Sequence, residues 1–342
     1  MRDTGPLKLL LRGILFRPVL FLPLLVDPIL ELSGIEARHL AVYSQLAAQV
    51  RSGQITRIGW DLRALKLFAT PRAPQYQILV LGSSRALSVS QTWFPGHTLW
   101  NASVDSGTLE DAAVLLHTAL EAGHLPTTVI LEVSASLGRD PQPGTSRALS
   151  PDLRPALARY GLAPRSPLSQ LADINLWWND STRRLLATLN DLKAAPTAFV
   201  LSPDGALLEP DPLPPVMSAQ AAVDFLNRLP PEQLEARSQS TPSPANAALL
   251  RRVLDDLTAR GIRVIVLTVP IHPAAWDFFR KRGGYDDGWL RAELAPRNIP
   301  IIGTYSPQES HATGADFLDP FHPRPALVRR LLTDAAVISA LP

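Results

Sequence analysis

The stretch Gln77-Ile78-Leu79-Val80-Leu81-Gly82-Ser83-Ser84-Arg85 decides the fold. Its apolar residues run without polar alternation, as expected of a strand covered on both faces in a parallel sheet. Gly82 then permits a sharp turn, and two hydroxyl side chains follow it. In open α/β folds, the turn after such a strand lies at the C-terminal edge of the sheet, where sites are built. The same kind of run recurs at Thr98–Ala102, Thr127–Val133, Arg263–Val269 and Ile299–Gly303. Helical spacing fills Leu109–Ala122, Asn246–Arg260 and Pro325–Ala340. Strand alternating with helix predicts a doubly wound, three-layer α/β/α fold around a five-stranded, mostly parallel sheet.

The flanks read differently. Arg2, Lys8, Arg12 and Arg17 precede Pro18-Val19-Leu20-Phe21-Leu22-Pro23-Leu24-Leu25-Val26, a basic segment followed by an apolar one. A span from about Gly13 to Leu32 requires Arg17 to snorkel to one interface while Asp27 and Glu31 lie at the other. With no small-x-small cleavage site after it, residues 1–34 are expected to be a retained signal-anchor helix. That arrangement sets the basic end on the cytoplasmic side of the membrane and the domain on the other. The other reading is an amphipathic helix lying on the domain or on a membrane surface. Residues 35–74 carry two helical patterns and are expected to form a stalk. The α/β domain then occupies 75–342, interrupted at about 140–245 by a proline-rich, partly helical insertion. That insertion is expected to hold a helix from Ser166 to Leu192, a hairpin around Val200–Gly205, and a loose section from about 208 to 245.

Composition narrows the function. A net charge of +2 with no long basic stripe gives no footing for a nucleic-acid partner. The absence of cysteine excludes disulfides, thiolate-bound zinc and a thiol nucleophile. The seven histidines are scattered and form no metal-binding spacing, so neither a metal nor another cofactor is expected.

The chemistry-bearing residues stand at opposite ends of the domain. Asp319-Pro320-Phe321-His322 sets a carboxylate and an imidazole three positions apart, just before the last helix. Taken alone, Ser83 or Ser84 can simply cap a following helix, and Asp319 and His322 can belong to an ordinary surface turn. Position favours more. The second motif follows the fifth strand, so the topology can carry it beside the turn after the first. Ser84, His322 and Asp319 would then be nucleophile, general base and ring-orienting carboxylate. Gly-Ser-Ser-Arg is not the Gly-x-Ser-x-Gly elbow of the α/β-hydrolases.

In this layout the chain resembles the SGNH (GDSL-like) hydrolase superfamily, whose fold is flavodoxin-like. It is closest to the membrane-anchored branch associated with acylation of cell-envelope polysaccharides. The resemblance covers roughly residues 76–340, apart from most of the insertion. It implies Ser84 as nucleophile, in the family's position two residues after the glycine of the first strand's turn. Asp319 and His322 match its Asp-x-x-His block. Gly107, in Asn101-Ala102-Ser103-Val104-Asp105-Ser106-Gly107, matches the glycine whose amide joins that of Ser84 in the oxyanion hole. The pattern departs after the third strand, where the family's oxyanion asparagine is missing from Glu132-Val133-Ser134-Ala135-Ser136. Its first-block aspartate is replaced by Ser83.

Glu132 and Ser134 are therefore candidates to line the site. Arg85 either meets an anionic substrate or pairs with Glu132, and His272 either contacts substrate or bonds to backbone. Trp177 and Trp178 either stack on sugar rings or pack a cap. The resemblance implies an extracytoplasmic, membrane-tethered serine esterase or O-acyltransferase acting on an acylated polysaccharide or glycan, with envelope biosynthesis or export proteins as possible partners. The alternatives are an inactive glycan-binding or export-complex protein, and a cytosolic phosphate or nucleotide binder using the Gly82–Arg85 turn.

Overall fold

The computed structural model describes residues 35–52, 56–58, 62–135, 159–161, 199–208, 214–238 and 241–333. The expected anchor at 1–34, the expected helix Ser166–Leu192 with Trp177 and Trp178, and residues 334–340 of the expected last helix lie outside them. No helix among the described residues is long and apolar enough to cross a membrane.

Five strands form one wholly parallel sheet. They are β2 (Ile78–Leu81), β3 (Leu99–Asn101), β4 (Thr128–Glu132), β6 (Arg263–Leu267) and β7 (Ile301–Ile302), in the order β3-β2-β4-β6-β7. Counted within the sheet alone, that order is 2-1-3-4-5, the doubly wound arrangement whose switch point lies between its first and third strands. Each expected strand is present and shorter at its ends. Two further strands, β1 (Thr56–Ile58) and β5 (Phe199–Leu201), pair antiparallel in a separate ribbon.

Side-chain alternation explains the layers. Leu79, Leu81, Val129, Leu131, Val264 and Val266 point to one face, while Ile78, Val80, Ile130, Ile265 and Leu267 point to the other. The first face is covered by α3 (Leu109–Glu121), α6 (Pro244–Ala259) and α8 (Gly288–Leu294). The second is covered by α9 (Pro325–Leu332) and by the apolar residues of the loop 86–94.

Two expectations change here. The segment read as a stalk is no separate element: α1 (Ile35–Arg51) and α2 (Leu62–Ala69) bury Tyr43, Ala47, Val50, Leu62 and Leu65 in the same core as the first sheet face. The two helices pack on each other, with the Tyr43 and Phe68 rings stacked at 5.8 Å, and Arg63 ties α2 to Asp111, the capping-box residue at the start of α3 (Nε to Oδ1 2.8 Å). Nor is the section from 208 to 245 loose throughout. It contains α4 (Ala219–Asn227) and α5 (Pro231–Ser238), and α4 is opened by Ser218, whose hydroxyl accepts from the Ala221 amide. Together with α7 (Pro273–Arg280) these helices supply Phe225, Leu226, Leu234, Ala275 and Phe279 to a third apolar cluster that takes in Phe321.

Candidate active site

The site grows from the turn after β2. Val104 donates its amide to the Gly82 carbonyl (3.1 Å), and a Cβ placed on Gly107 would lie 2.4 Å from that same oxygen. Gly107 lets the loops after β2 and β3 press together, while the space at Gly82 is filled by Glu132. Beyond Gly82 the chain forms successive turns over residues 84–88, not the helix start expected of the serines. The cause is Asn101, buried at the end of β3. Its side-chain amide donates to the carbonyls of Ala86 (2.8 Å), Leu87 (3.0 Å) and Val89 (2.9 Å), which a helix would have used itself. Its Oδ1 accepts from the Ser103 amide at 2.9 Å. Sequence reading missed this scaffold role; an asparagine closing a buried apolar strand was its one visible signal.

Ser84 is half-exposed, and its hydroxyl meets His322 Nε2 at 2.8 Å. His322 Nδ1 lies 2.6 Å from Asp319 Oδ2. A carboxylate can only accept, so Nδ1 carries the ring proton and Nε2 is left to accept from Ser84. Asp319 Oδ1 receives the amides of Phe321 (2.8 Å) and His322 (3.0 Å), which turns the loop so that both carboxylate oxygens serve the histidine's residue. Burial works to raise the Asp319 carboxyl. The hydrogen bond and charge of His322 and the two amides outweigh it, holding the group below the usual aspartate value.

The loop itself is anchored from both sides. Leu318 donates its amide to the His322 carbonyl at 2.8 Å, and Phe321 is held in the third apolar cluster with the Arg237 guanidinium 4.2 Å from its ring centre. His272 is part of this support. It is buried, its amide donates to the Pro320 carbonyl (3.1 Å), and its Nδ1 accepts from the Ala274 amide (3.1 Å) to cap α7. Burial pushes its imidazole below the usual histidine value. Of its two sequence readings, the structure gives the backbone-bonded one.

Arg85 pairs with Glu132, one of its two sequence readings, and together with Glu132 and Ser134, which were expected to line the site, it forms a buried layer beneath Ser84. Glu132 Oε2 accepts from the Ser83 amide at 2.8 Å, its Oε1 lies 3.6 Å from Arg85 Nε, and Arg85 Nη2 donates to the Ser134 hydroxyl. Burial disfavours the Arg85 charge, but attraction to Glu132 foremost, with Tyr285, Tyr305 and Asp319 also contributing, leaves its protonated form favoured. Gly107 stands beside the nucleophile's turn as expected, yet its amide donates to the Val104 carbonyl at 3.2 Å. The Ser84 amide has no acceptor among the described residues.

Chemically, the arrangement can deprotonate one serine hydroxyl and hold negative charge next to it. Among the described residues no group of histidines and carboxylates could hold a metal. No protein-family model matches the chain, and no curated protein or solved structure matches it either.

Proposed function

We propose that the chain is a serine esterase or O-acyltransferase of the SGNH-hydrolase type. One observation carries the reading: the unbroken line of hydrogen bonds from Ser84 through His322 to Asp319, at the switch-point edge of the sheet. Ser84 Oγ attacks the acyl carbonyl carbon while its proton passes to His322 Nε2. The oxyanion forms against the Ser84 amide. As the tetrahedral adduct collapses, His322 returns the proton to the leaving alkoxide, and an acyl-serine remains. Water or a sugar hydroxyl, deprotonated by the same nitrogen, then releases the acyl group. Asp319 holds the ring tautomer and stabilises the imidazolium without taking its proton.

The same proposal takes in the setting: a domain tethered outside the cytoplasmic membrane by residues 1–34, acting on an acylated envelope polysaccharide or glycan. The basic-then-apolar order of the N-terminal residues supports the tether. The substrate class rests on the family resemblance.

The test is turnover of p-nitrophenyl acetate by the full-length chain, with Ser84→Ala and His322→Ala beside it. Loss in both variants, with circular dichroism unchanged, supports the reading. A background rate in wild type and variants alike favours the inactive glycan binder, for which the engaged Gly107 amide is the supporting observation.

A further inference from the structure

Ser84 is flanked by two residues that are both tied to the end of β4. On one side the Ser83 amide donates to Glu132 Oε2 at 2.8 Å. On the other the Arg85 guanidinium faces Glu132 Oε1 (Nε to Oε1 3.6 Å) and donates to Ser134, two residues further along the same strand end. The carboxylate is almost wholly buried, with 1% of the side chain exposed. It lies so close beneath the turn that a Cβ on Gly82 would come within 2.6 Å of Glu132 Cβ and 3.1 Å of Oε2.

A buried ion pair is a poor source of stability, because desolvating both charges consumes most of their attraction and apolar packing does as well or better. This pair therefore calls for another account, and its backbone contact provides one. The turn over residues 84–88 is not a helix, so the amide just before the nucleophile has no secondary-structure acceptor. Left bare and buried it would be costly, and any acceptor it found by shifting would drag Ser84 along. Glu132 supplies that acceptor from a strand in the middle of the sheet, the most rigid support at hand. Arg85 in turn holds the carboxylate against rotation, and Ser134 holds Arg85.

We infer that Glu132, backed by Arg85, is a positioning residue that fixes the nucleophile's turn from below. It keeps the Ser84 hydroxyl at hydrogen-bonding distance from His322 while leaving the Ser84 amide unengaged. The inference rests on the reading of Ser84 as nucleophile. A displacement of about 1 Å at such a centre costs about 10²-fold in rate, so the effect is large enough to measure.

The experiment is covalent modification of the full-length chain by a fluorophosphonate ester, read as the limiting rate at saturating reagent, with urea unfolding followed on the same samples. Glu132→Ala is expected to slow modification about 10²-fold. Glu132→Gln keeps an acceptor for the Ser83 amide and is expected to stay within about tenfold of wild type. The double variant Arg85→Met/Glu132→Leu replaces the pair by apolar groups of similar size. Its unfolding midpoint should regain part of what Glu132→Ala loses, the bare Ser83 amide keeping it below wild type, while modification stays slow.

A merely structural pair predicts otherwise. If the double variant regains both stability and rate, or if folded Glu132→Ala reacts as fast as wild type, the positioning role is overturned. A glutamine variant as slow as alanine overturns the amide anchor. Should wild type itself escape modification at Ser84, the nucleophile reading falls and the inference with it, an outcome told apart by the wild-type arm alone.

Discussion

Ser84 and His322 are 238 positions apart in the chain, yet Oγ and Nε2 meet at 2.8 Å. The sheet order brings this about. The nucleophile follows β2, next to the switch point, and the histidine's loop follows β7, at the sheet's far edge. That loop crosses back over the C-terminal ends of the strands, held by the amide of His272 on Pro320 and by Phe321 in its aromatic cluster. The meeting of Ser84 and His322 thus depends on packing remote from either side chain.

Residues that act as a unit lose their effect together. Ser84→Ala and His322→Ala are each expected to lower kcat on p-nitrophenyl acetate by about 10³-fold or more, and the double variant should be no slower than the worse single one. Initial rates across this cycle test the coupling. Losses that multiply would show that the two side chains work independently.

Asp319→Asn separates orientation from charge. The amide oxygen can still accept from Phe321 and His322, so the turn persists. Its NH2 group, however, now faces His322 Nδ1 and draws the ring proton to Nε2, which can no longer accept from Ser84. A fall of about 10⁴-fold in kcat is expected, with a near-native circular dichroism spectrum.

The same carboxylate makes stability depend on pH. Its folded value lies below the ordinary aspartate range, so between the two values the unfolded chain binds more protons than the native one. Its contribution is complete above the unfolded value and disappears as pH falls through the folded one. Thermal melts of wild type and Asp319→Asn should therefore differ most near neutrality and converge as pH falls below the ordinary aspartate value. A gap that stays constant across that range would show that Asp319 does not carry the dependence.

Close approach of two loops sets a further demand. A Cβ on Gly107 would stand 2.4 Å from the Gly82 carbonyl and 3.0 Å from Ser83 Cα, both backbone atoms that cannot rotate away. Gly107→Ala is expected to cost about 1–3 kcal/mol of stability and to displace the nucleophile's turn, lowering esterase activity as well. Urea unfolding and kcat measured together check it. Full stability with full activity would show that the loops separate freely.

Much of this was legible in the chain. Unbroken apolar runs such as Ile78–Leu81 and Val129–Leu131 announce strands buried on both faces, and their number and spacing dictate the parallel sheet. The order Ser, Asp, His was equally visible, in the serines after the Gly82 turn and in Asp319 three residues before His322. What stayed hidden depends on pairing across long separations. Glu132 looked like a residue facing substrate because a charge at a strand's end normally seeks water. Only the fold reveals the Ser83 amide that, beside the Arg85 partner the sequence already offered, draws it inward. The helical periodicity of residues 35–69 marked an apolar face without saying what covers it, so a stalk was as consistent as a docked helix pair. The turn at residues 84–88 was misread as a helix start because the competitor for its carbonyls, Asn101, lies on another strand.

Lys66 offers the sharpest electrostatic test outside the site. It is fully buried on α2, where its ammonium donates to the carbonyls of Asn101 and Gly205 and lies 5.4 Å from the Trp100 ring centre. Those bonds fasten the hairpin of β5 to the edge of the main sheet, alongside the Asn101 amide on the Asp204 carbonyl (2.8 Å). Burial lowers the amine from 10.5 to about 7, with Asp204 opposing the shift. Between these values the unfolded chain binds the extra proton, so stability should rise with pH from about 7 towards 9.5, by an amount on the order of a few kcal/mol. Lys66→Met removes the titrating group while leaving both carbonyls without their donor. It should be less stable than wild type at pH 9, and its own stability should be flatter between pH 7 and 9.5. Urea melts of the two proteins across that window decide the matter. Parallel curves would mean that Lys66 keeps its proton in the folded chain throughout.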